Sequence, residues 1–180
     1  MDTFQKEKTL LPRTVFLIGM MGTGKSFWAQ KLSEEFQIDW VDLDSQIEKA
    51  AEMTIREIFE TKGEEYFRKK ERDVLQQLSS FDHLIIATGG GTPCFYNNMQ
   101  WMNENGITIW IDESIDVLME RLKKGKAHRP LIKRLSDNEM HDFLSKKLAE
   151  RKPFYGLAQY HLANEQISQR SFAEILKNHE

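Results

Sequence analysis

Residues 14–26 read TVFLIGMMGTGKS, and this stretch decides the fold. It opens with a short, continuous apolar run, which predicts a buried strand. Residues 19–26 match the pattern GxxxxGK[ST] in full, and an amphipathic segment follows, with Trp28, Leu32 and Phe36 at helical spacing. A strand, a glycine-rich turn and a helix in this order are typical of a phosphate-binding loop. The alternative is a glycine-rich turn that only joins the strand to the helix.

The residue types of this loop suit phosphate chemistry. Glycines let the backbone curl so that successive N–H groups point at phosphate oxygens, and the helix that follows adds its positive dipole end. The side chain of Lys25 can reach the β- and γ-phosphates, and the hydroxyl of Ser26 can bind Mg²⁺. The guanine-reading NKxD pattern and a strand that ends in DxxG are both absent from the sequence, which argues against a GTPase. The sequence therefore predicts a nucleotide-binding protein.

Further apolar runs alternate with longer amphipathic segments along the chain. Beyond the first strand, we predict strands at residues 39–41, 84–87, 107–111 and 160–162. Strands separated by helices favour a parallel sheet covered on both faces, with any ligand at the edge where the strands end. Two segments are predicted to be excursions from the sheet: residues 44–80 carry helical stripes only, and residues 123–134 hold six Lys or Arg and no acid.

The composition limits the class of protein. The chain has 180 residues, of which 40% are hydrophobic and 29% charged, so it can form one core in a single domain. A net charge of −3 disfavours nucleic acid and anionic membranes as partners. Cys94 is the single cysteine, which excludes an intramolecular disulfide and fits a reducing cytoplasm.

Acidic residues and glycines follow two of the predicted strands. Asp42 and Asp44 follow the second strand, where one carboxylate can hold Mg²⁺ through water and the other can accept a proton from an attacking hydroxyl. Alternatively, Asp44 caps the next helix. Gly89, Gly90 and Gly91 follow the third strand and would let a ligand approach the backbone closely. A plain tight turn is the other interpretation of these glycines.

Two arginines lie on predicted helices. Arg68 is within helical reach of Glu64 and Glu71, which on sequence alone favours a surface salt-bridge ladder. Arg151 falls on the apolar face of a helix that we expect Pro153 to end. It must therefore find an anion, reach solvent past the core or complement the helix C-terminus.

Arg129 lies in the basic segment of residues 123–134. It precedes Pro130, which biases it toward an extended conformation. The neighbouring cations repel it until an anion arrives. We expect the segment to be a solvated loop that can close over a bound nucleotide.

Taken in order, the motifs GMMGTGKS, VDLD, FRKKE, TGGG, RPL and ERKPFY resemble those of the shikimate kinase family of small-molecule P-loop kinases. The resemblance runs from about Val15 to Tyr155. It implies a three-layer α/β/α P-loop kinase fold with a five-stranded parallel sheet, in one domain of residues 1–180. It also implies a helical substrate-binding flap at about residues 44–72 and a mobile lid at about residues 123–135. The implied reaction transfers the γ-phosphoryl group of ATP, with Mg²⁺, to the 3-hydroxyl of shikimate.

The same resemblance implies roles for individual residues. Those assigned to catalysis are Lys25, Asp44 and Arg129. Those assigned to ATP are Gly22, Thr23, Gly24, Lys25, Ser26, Phe27, Arg121 and Arg129, with Arg121 placed to stack on adenine. Those assigned to shikimate are Asp44, Arg68, Gly89, Gly90, Gly91 and Arg151. Those assigned to Mg²⁺ are Ser26 and, through water, Asp42.

Three other functions fit a phosphate loop. A gluconate kinase-like enzyme shares the core and an acid sugar substrate, and a nucleoside monophosphate kinase shares the core and the lid. A regulatory nucleotide-binding domain would have the fold without the activity. The DxD, FRxxE and GGG motifs argue against the first. The argument against the last is that Lys25, Ser26, Asp44 and Arg129 are intact. We expect a monomer, since no long exposed apolar stripe is left over.

Overall fold

The computed structural model describes residues 13–78, 83–124 and 132–179. These residues form five strands and eight α-helices. In chain order they are β1 (Thr14–Ile18), α1 (Lys25–Phe36), β2 (Asp39–Asp42), α2 (Leu43–Ala51), α3 (Ile55–Thr61), α4 (Gly63–Leu78), β3 (Leu84–Ala87), α5 (Asn98–Asn105), β4 (Gly106–Asp112), α6 (Ile115–Lys124), α7 (Asp137–Tyr155), β5 (Tyr160–Ala163) and α8 (Gln169–Lys177). None of the helices in these ranges is both long and apolar enough to span a membrane.

The five strands form one parallel sheet in the order β2-β3-β1-β4-β5. The predicted parallel sheet is therefore confirmed, with strand ends within a residue of those expected. The register pairs Ala87 with Leu17 on one side and with Asp42 on the other. Because these three strands end at the same level, the segments that follow them meet at one edge of the sheet.

The central strand β1 is buried on both faces of the sheet. Phe16 and Ile18 face the core that includes residues of α2, α4, α6 and α7. Val15 and Leu17 face the second core, which includes residues of α1 and α8. This burial on both sides explains why β1 reads as a continuous apolar run instead of an alternating one. Helices on both faces of the sheet give the three-layer α/β/α arrangement that the sequence predicts.

Residues 44–72, for which a helical flap is expected, lie in α2, α3 and the first part of α4. Helix α3 begins with a capping box in which Thr54 and Glu57 exchange hydrogen bonds. Helix α4 begins at Gly63, whose φ of +81° is a conformation that glycine adopts without steric cost. Of the expected lid at residues 123–135, only 123–124 and 132–135 belong to the described residues.

Helix α7 continues past Pro153, where we expected it to end. Pro153 has no N–H to donate within the helix, but the turn that follows it still forms. The next turn is closed because the Gly156 N–H donates to the Lys152 carbonyl at 2.9 Å, and the side chain of Tyr155 is fully buried. Tyr155 therefore lies one helical turn after Arg151 on the same face of α7.

Candidate active site

The phosphate loop connects β1 to α1 in the centre of the sheet. Its glycines Gly19, Gly22 and Gly24 have φ values of +140°, +85° and +90°. Residues with a side chain rarely adopt these values. A Cβ atom on Gly19 would also overlap the carbonyl oxygen of Ile111 on β4. The backbone curl that the motif predicts is thus present and depends on glycine.

Lys25 is the first residue of α1, and its side chain is largely buried. Its ammonium group donates to the carbonyl oxygens of Gly19 at 2.9 Å and Met20 at 2.8 Å. The side chain therefore folds back across the loop. A phosphate oxygen is a stronger acceptor than a neutral carbonyl. The ammonium group can therefore exchange these carbonyl partners for a bound phosphate.

Ser26 and Asp42 bring the first helix and the second strand together. The Ser26 hydroxyl donates to Asp42 Oδ2 at 2.8 Å, and Asp42 Oδ1 accepts from the Ser45 N–H at 3.2 Å. Asp42 is therefore the N-cap of α2, and Asp44, our alternative for that cap, lies in the first turn instead. The helix begins at Leu43, two residues too early for Asp44 to occupy the capping position.

The donor set around Ser26 fits Mg²⁺. A hydroxyl and a carboxylate are the hard oxygen ligands that this ion prefers, usually with phosphates and water completing its shell. In the described ranges, no group of three or more His, Cys, Asp or Glu side chains could hold a metal ion alone. Ser26 and Asp42 therefore fit a Mg²⁺ ion that arrives with a nucleotide.

The carboxyl group of Asp44 is half-buried beside the phosphate loop. Its burial and the nearby carboxylates of Asp42 and Glu71 raise the pKa of Asp44 to about 6. The cations Lys25 and Arg68 partly oppose that rise in pKa. A carboxyl group with this pKa is suited to accept a proton near neutral pH.

Each glycine of the triglycine segment, residues 89–91, faces at least one charged side chain, and Gly89 faces Glu71 as well as Asp44. The facing pairs are Gly89 with Asp44, Gly90 with Arg151, and Gly91 with Arg68. At each of the three, an added Cβ atom would lie less than 3.0 Å from an atom of the charged group. The missing side chains therefore admit two carboxylates and two guanidinium groups to the same short stretch of backbone. A plain turn would not require this.

Arg68 is held by two acidic partners, of which Glu64 is exposed and Glu71 is buried. Its guanidinium donates to Glu71 at 2.9 Å and to Glu64 at 3.2 Å, and it lies 4.1 Å from the ring centroid of Phe95. The Glu71 side chain is only 1% exposed, and its second oxygen accepts from the Thr92 hydroxyl at 2.6 Å. The spacing predicted these ion pairs correctly, but the surface location was wrong because α4 packs this face toward the triglycine segment.

Arg151 is half-buried, and no carboxylate of the described residues pairs with it. Its Nη1 atom lies 3.6 Å from the sulfur of Met20 in the phosphate loop. A thioether is a weak acceptor, so this contact leaves most of the hydrogen-bonding capacity of the guanidinium unused. Of the options that the sequence left open, the structure favours a site for an incoming anion.

One cavity of about 380 Å³ joins the phosphate loop, the end of β2 and the triglycine segment. Its lining residues are Met21, Gly22, Gly24, Lys25, Ser26, Phe27, Asp42, Asp44, Thr88, Gly89, Gly90 and Arg121. Arg68 and Arg151 are not among these lining residues, but their guanidinium groups lie beside Gly91 and Gly90. The predicted site residues that the structure describes are thus brought to one edge of the sheet.

Arg121 lies on α6 beside the phosphate loop. Its Nη1 atom is 3.3 Å from the carbonyl oxygens of Gly22 and Thr23, and its Nη2 atom is 2.7 Å from Glu113. These contacts are with protein groups, so the stacking of Arg121 on adenine stays a prediction. Phe27 is exposed at the cavity.

The sequence does not predict that three further residues, Glu71, Glu113 and Tyr155, lie in or next to the site. The helical spacing predicts Glu71 only as an ion-pair partner of Arg68 on the surface. It predicts no role for Glu113 or Tyr155. Glu113 precedes α6, so its contact with Arg121 is not a pair within one helix, and Tyr155 lies beyond the expected end of its helix. Arg129 lies outside the described residues.

Comparisons with known proteins agree with this geometry. Residues 21–180 match the family model described as shikimate kinase. The shikimate kinase of Flavobacterium johnsoniae is 44% identical over 166 residues, which are 91% of this chain and 95% of that protein.

Two solved structures are also similar. The shikimate kinase of Bacteroides thetaiotaomicron has a TM-score of 0.82 at 35% identity, over 92% of this chain and 95% of that one. The shikimate kinase of Acinetobacter baumannii, solved in complex with shikimate, has a TM-score of 0.78 at 29% identity, over 95% and 91%. With the phosphate loop, the paired acids and the triglycine segment at one sheet edge, and with a relative 44% identical over nine-tenths of the chain, the chain belongs to the shikimate kinase family of ATP-dependent kinases.

Proposed function

We propose that the cavity transfers the γ-phosphoryl group of ATP to the 3-hydroxyl of shikimate, giving shikimate 3-phosphate and ADP. The observation that carries this proposal is the triglycine segment, where Asp44, Arg68 and Arg151 each approach a different glycine. The phosphate loop lines the same cavity. These side chains suit an acceptor that carries both a carboxylate and hydroxyl groups. The neighbouring phosphate loop suits ATP.

The two arginines are proposed to bind the carboxylate of shikimate. Guanidinium groups match planar carboxylates through two parallel hydrogen bonds. Arg151 has no carboxylate partner within the described residues, and Arg68 is held in place by Glu71 at 2.9 Å. The hydroxyl groups of shikimate are then left for Asp44 and the backbone of residues 89–91.

The chemical step is proposed to depend on charge and positioning. The transition state of phosphoryl transfer is loose and spreads negative charge over the equatorial oxygens. Lys25 and the phosphate-loop amides can neutralise that charge, and we assign the same role to Arg129. Since the acceptor hydroxyl keeps its proton until late in a loose transition state, Asp44 orients the hydroxyl first and takes the proton afterwards.

The nucleotide is assigned to Gly22, Thr23, Gly24, Lys25, Ser26, Phe27, Arg121 and Arg129. Mg²⁺ would be held by Ser26 and, through water, by Asp42, and when bound it supplies positive charge beside the phosphates. The helical segment of residues 44–72 is proposed to act as the substrate-binding flap and residues 123–135 as the lid. Their closure would keep water from accepting the phosphoryl group.

The experiment that tests this function is ADP release from MgATP with shikimate, gluconate, AMP or no acceptor. We expect turnover with shikimate alone. Turnover with gluconate or AMP would overturn the roles of Arg68 and Arg151. If no acceptor gives ADP release although ATP binding is measurable, the chain is a regulatory domain. Lys25→Ala is the matched control, because it should abolish turnover while the thermal unfolding temperature stays close to that of the wild type.

We also propose that the enzyme works as a monomer in the cytoplasm. A reducing compartment suits a chain whose one cysteine, Cys94, has no partner for a disulfide. Large apolar side chains that are exposed, such as Phe27, Phe59 and Leu157, lie on separate elements of the described structure. Light scattering coupled to gel filtration, run at several protein concentrations, tests the monomer.

A further inference from the structure

The hydroxyl of Tyr155 connects the end of α7 to the triglycine segment. Tyr155 is fully buried and lies one helical turn after Arg151. Its hydroxyl donates a hydrogen bond to the carbonyl oxygen of Gly90, 65 positions away in sequence. This contact joins two elements that the proposed function assigns to shikimate.

All three carbonyl groups of the triglycine segment accept hydrogen bonds. Those of Gly89 and Gly91 accept from backbone N–H groups of the short turn that follows, at 3.2 and 2.9 Å. Only the Gly90 carbonyl uses a side chain from a distant element, Tyr155. In the described part of the chain, the N–H groups of residues 89–91 have no acceptor. The carbonyl bonds thus hold the segment while its N–H groups stay available to a ligand.

Because the peptide bond is planar, the Tyr155 contact also determines the orientation of the Gly91 N–H group. The Gly90 carbonyl and the Gly91 N–H belong to the same planar trans peptide, and in such a peptide they point in opposite directions. Fixing the carbonyl therefore fixes the N–H. Without the hydroxyl, a partly buried carbonyl would lose its partner, and the peptide would rotate to recover one.

Tyr155 also meets the phosphate loop. The sulfur of Met20 lies 3.7 Å from the Tyr155 hydroxyl and 3.6 Å from Nη1 of Arg151. Burial raises the pKa of the Tyr155 hydroxyl well above its ordinary value, so the group remains a donor throughout the pH range of the folded protein. A hydroxyl has a single hydrogen to donate, and the carbonyl of Gly90 is a stronger acceptor than the sulfur.

We propose that Tyr155 is a positioning residue for shikimate: its hydroxyl fixes the Gly90–Gly91 peptide relative to Arg151, so that one substrate molecule meets both at once. The proposal rests on the proposed function, because it takes Arg151 and the triglycine segment as the shikimate-binding groups. The aromatic ring has a separate, structural role, since it packs against Trp110 with 5.7 Å between the ring centroids. Removal of the hydroxyl alone separates the two roles.

The test is Tyr155→Phe, which keeps the ring and removes the donor. The matched control is Tyr160→Phe, because the Tyr160 hydroxyl also has a hydrogen-bond partner, the His179 side chain at 2.7 Å, on the far side of the sheet. We measure KM for shikimate, KM for ATP, kcat and the thermal unfolding temperature. Tyr155→Phe should raise KM for shikimate about tenfold, the equivalent of one lost hydrogen bond. KM for ATP should stay within twofold of the wild type, and Tyr160→Phe should leave both KM values unchanged.

A shikimate KM within twofold of the wild type would overturn the proposal, as would equal rises in both KM values. Arg151→Met separates this failure from failure of the proposed function. If Arg151→Met raises KM for shikimate but Tyr155→Phe does not, the positioning role is wrong and the function stands. If neither variant changes it, the shikimate-binding assignment itself is wrong. In the Arg151→Met background, Tyr155→Phe should have a smaller effect on KM than it has alone, because the two residues act on the same substrate.

Discussion

Arg68 Nη1 and Glu71 Oε2 lie 2.9 Å apart on one face of α4, and the Glu71 side chain is only 1% exposed. The other oxygen of this carboxylate accepts from the Thr92 hydroxyl at 2.6 Å. Because both oxygens are occupied and the group is buried, Glu71 has little freedom to move. The orientation of the Arg68 guanidinium beside Gly91 is therefore set before any substrate arrives.

Glu71→Gln should raise KM for shikimate about tenfold, because the guanidinium loses the charged partner that orients it. The free energy of unfolding should fall by about 1–3 kcal/mol, since a buried cation loses its counter-charge. Steady-state kinetics and urea unfolding measure the two effects. The control is Glu64→Gln, whose side chain is 58% exposed and should change KM less than twofold. Equal effects of the two variants would contradict the special role of Glu71.

Arg151→Met should raise KM for shikimate about 100-fold, because a bidentate charged hydrogen bond to the carboxylate is lost. Its unfolding temperature should not fall, since the lost cation has no carboxylate partner within the described residues and the replacement can pack against Met20. Kinetics and thermal unfolding check both statements. Lys152→Met is the control, because Lys152 is exposed on the same turn of helix. A similar KM change in that variant would point to a general electrostatic effect.

Asp44→Asn should stabilise the fold near pH 7 while it abolishes most of the activity. The pKa of Asp44 is raised from 3.8 to about 6, so the folded state binds the proton more tightly than the unfolded state does. Wild-type stability therefore falls as the pH rises from about 4 to about 6. The Asn variant lacks this fall, and its advantage above pH 6 should be about 1–3 kcal/mol.

Thermal unfolding from pH 4 to pH 8 measures the advantage of Asp44→Asn, which should vanish at the acidic end. Asp39→Asn is the control, because Asp39 is an exposed aspartate of β2, the strand that leads into the helix of Asp44. In the wild type, kcat/KM for shikimate should decline below about pH 6 as the Asp44 carboxylate takes up a proton. A kcat/KM that stays flat between pH 5 and 8 would argue against a role for an ionised Asp44.

Gly90→Ala should fold normally and bind shikimate poorly. Its Cβ atom would lie 2.9 Å from Nη1 of Arg151, so the flexible end of the arginine must move. Gly63→Ala gives the opposite pattern: its Cβ atom meets nothing within 4 Å, but the φ of +81° is costly for alanine. We expect Gly63→Ala to lose about 1 kcal/mol of stability without a change in KM. Comparison of KM and unfolding temperature in the two variants separates strain from lost recognition.

Short-range patterns in the sequence sufficed for much of this protein. The phosphate loop, the parallel sheet and the helices between residues 44 and 80 follow from motif spacing and hydrophobic periodicity, because these depend on neighbouring residues and on burial of one face. The order of the six motifs also indicated the family. In these features, local preference and the global fold agree.

The exact placement of charge needed the tertiary structure. The spacing of Arg68 and Glu71 predicts that they meet, but only the packing of α4 against the triglycine segment buries them. The pKa of Asp44 depends on groups from three separate elements. The helical turn that carries Tyr155 persists past Pro153 because a buried ring and a distant carbonyl hold it. Such effects arise from burial and from contacts between residues far apart in sequence, and no local pattern encodes them.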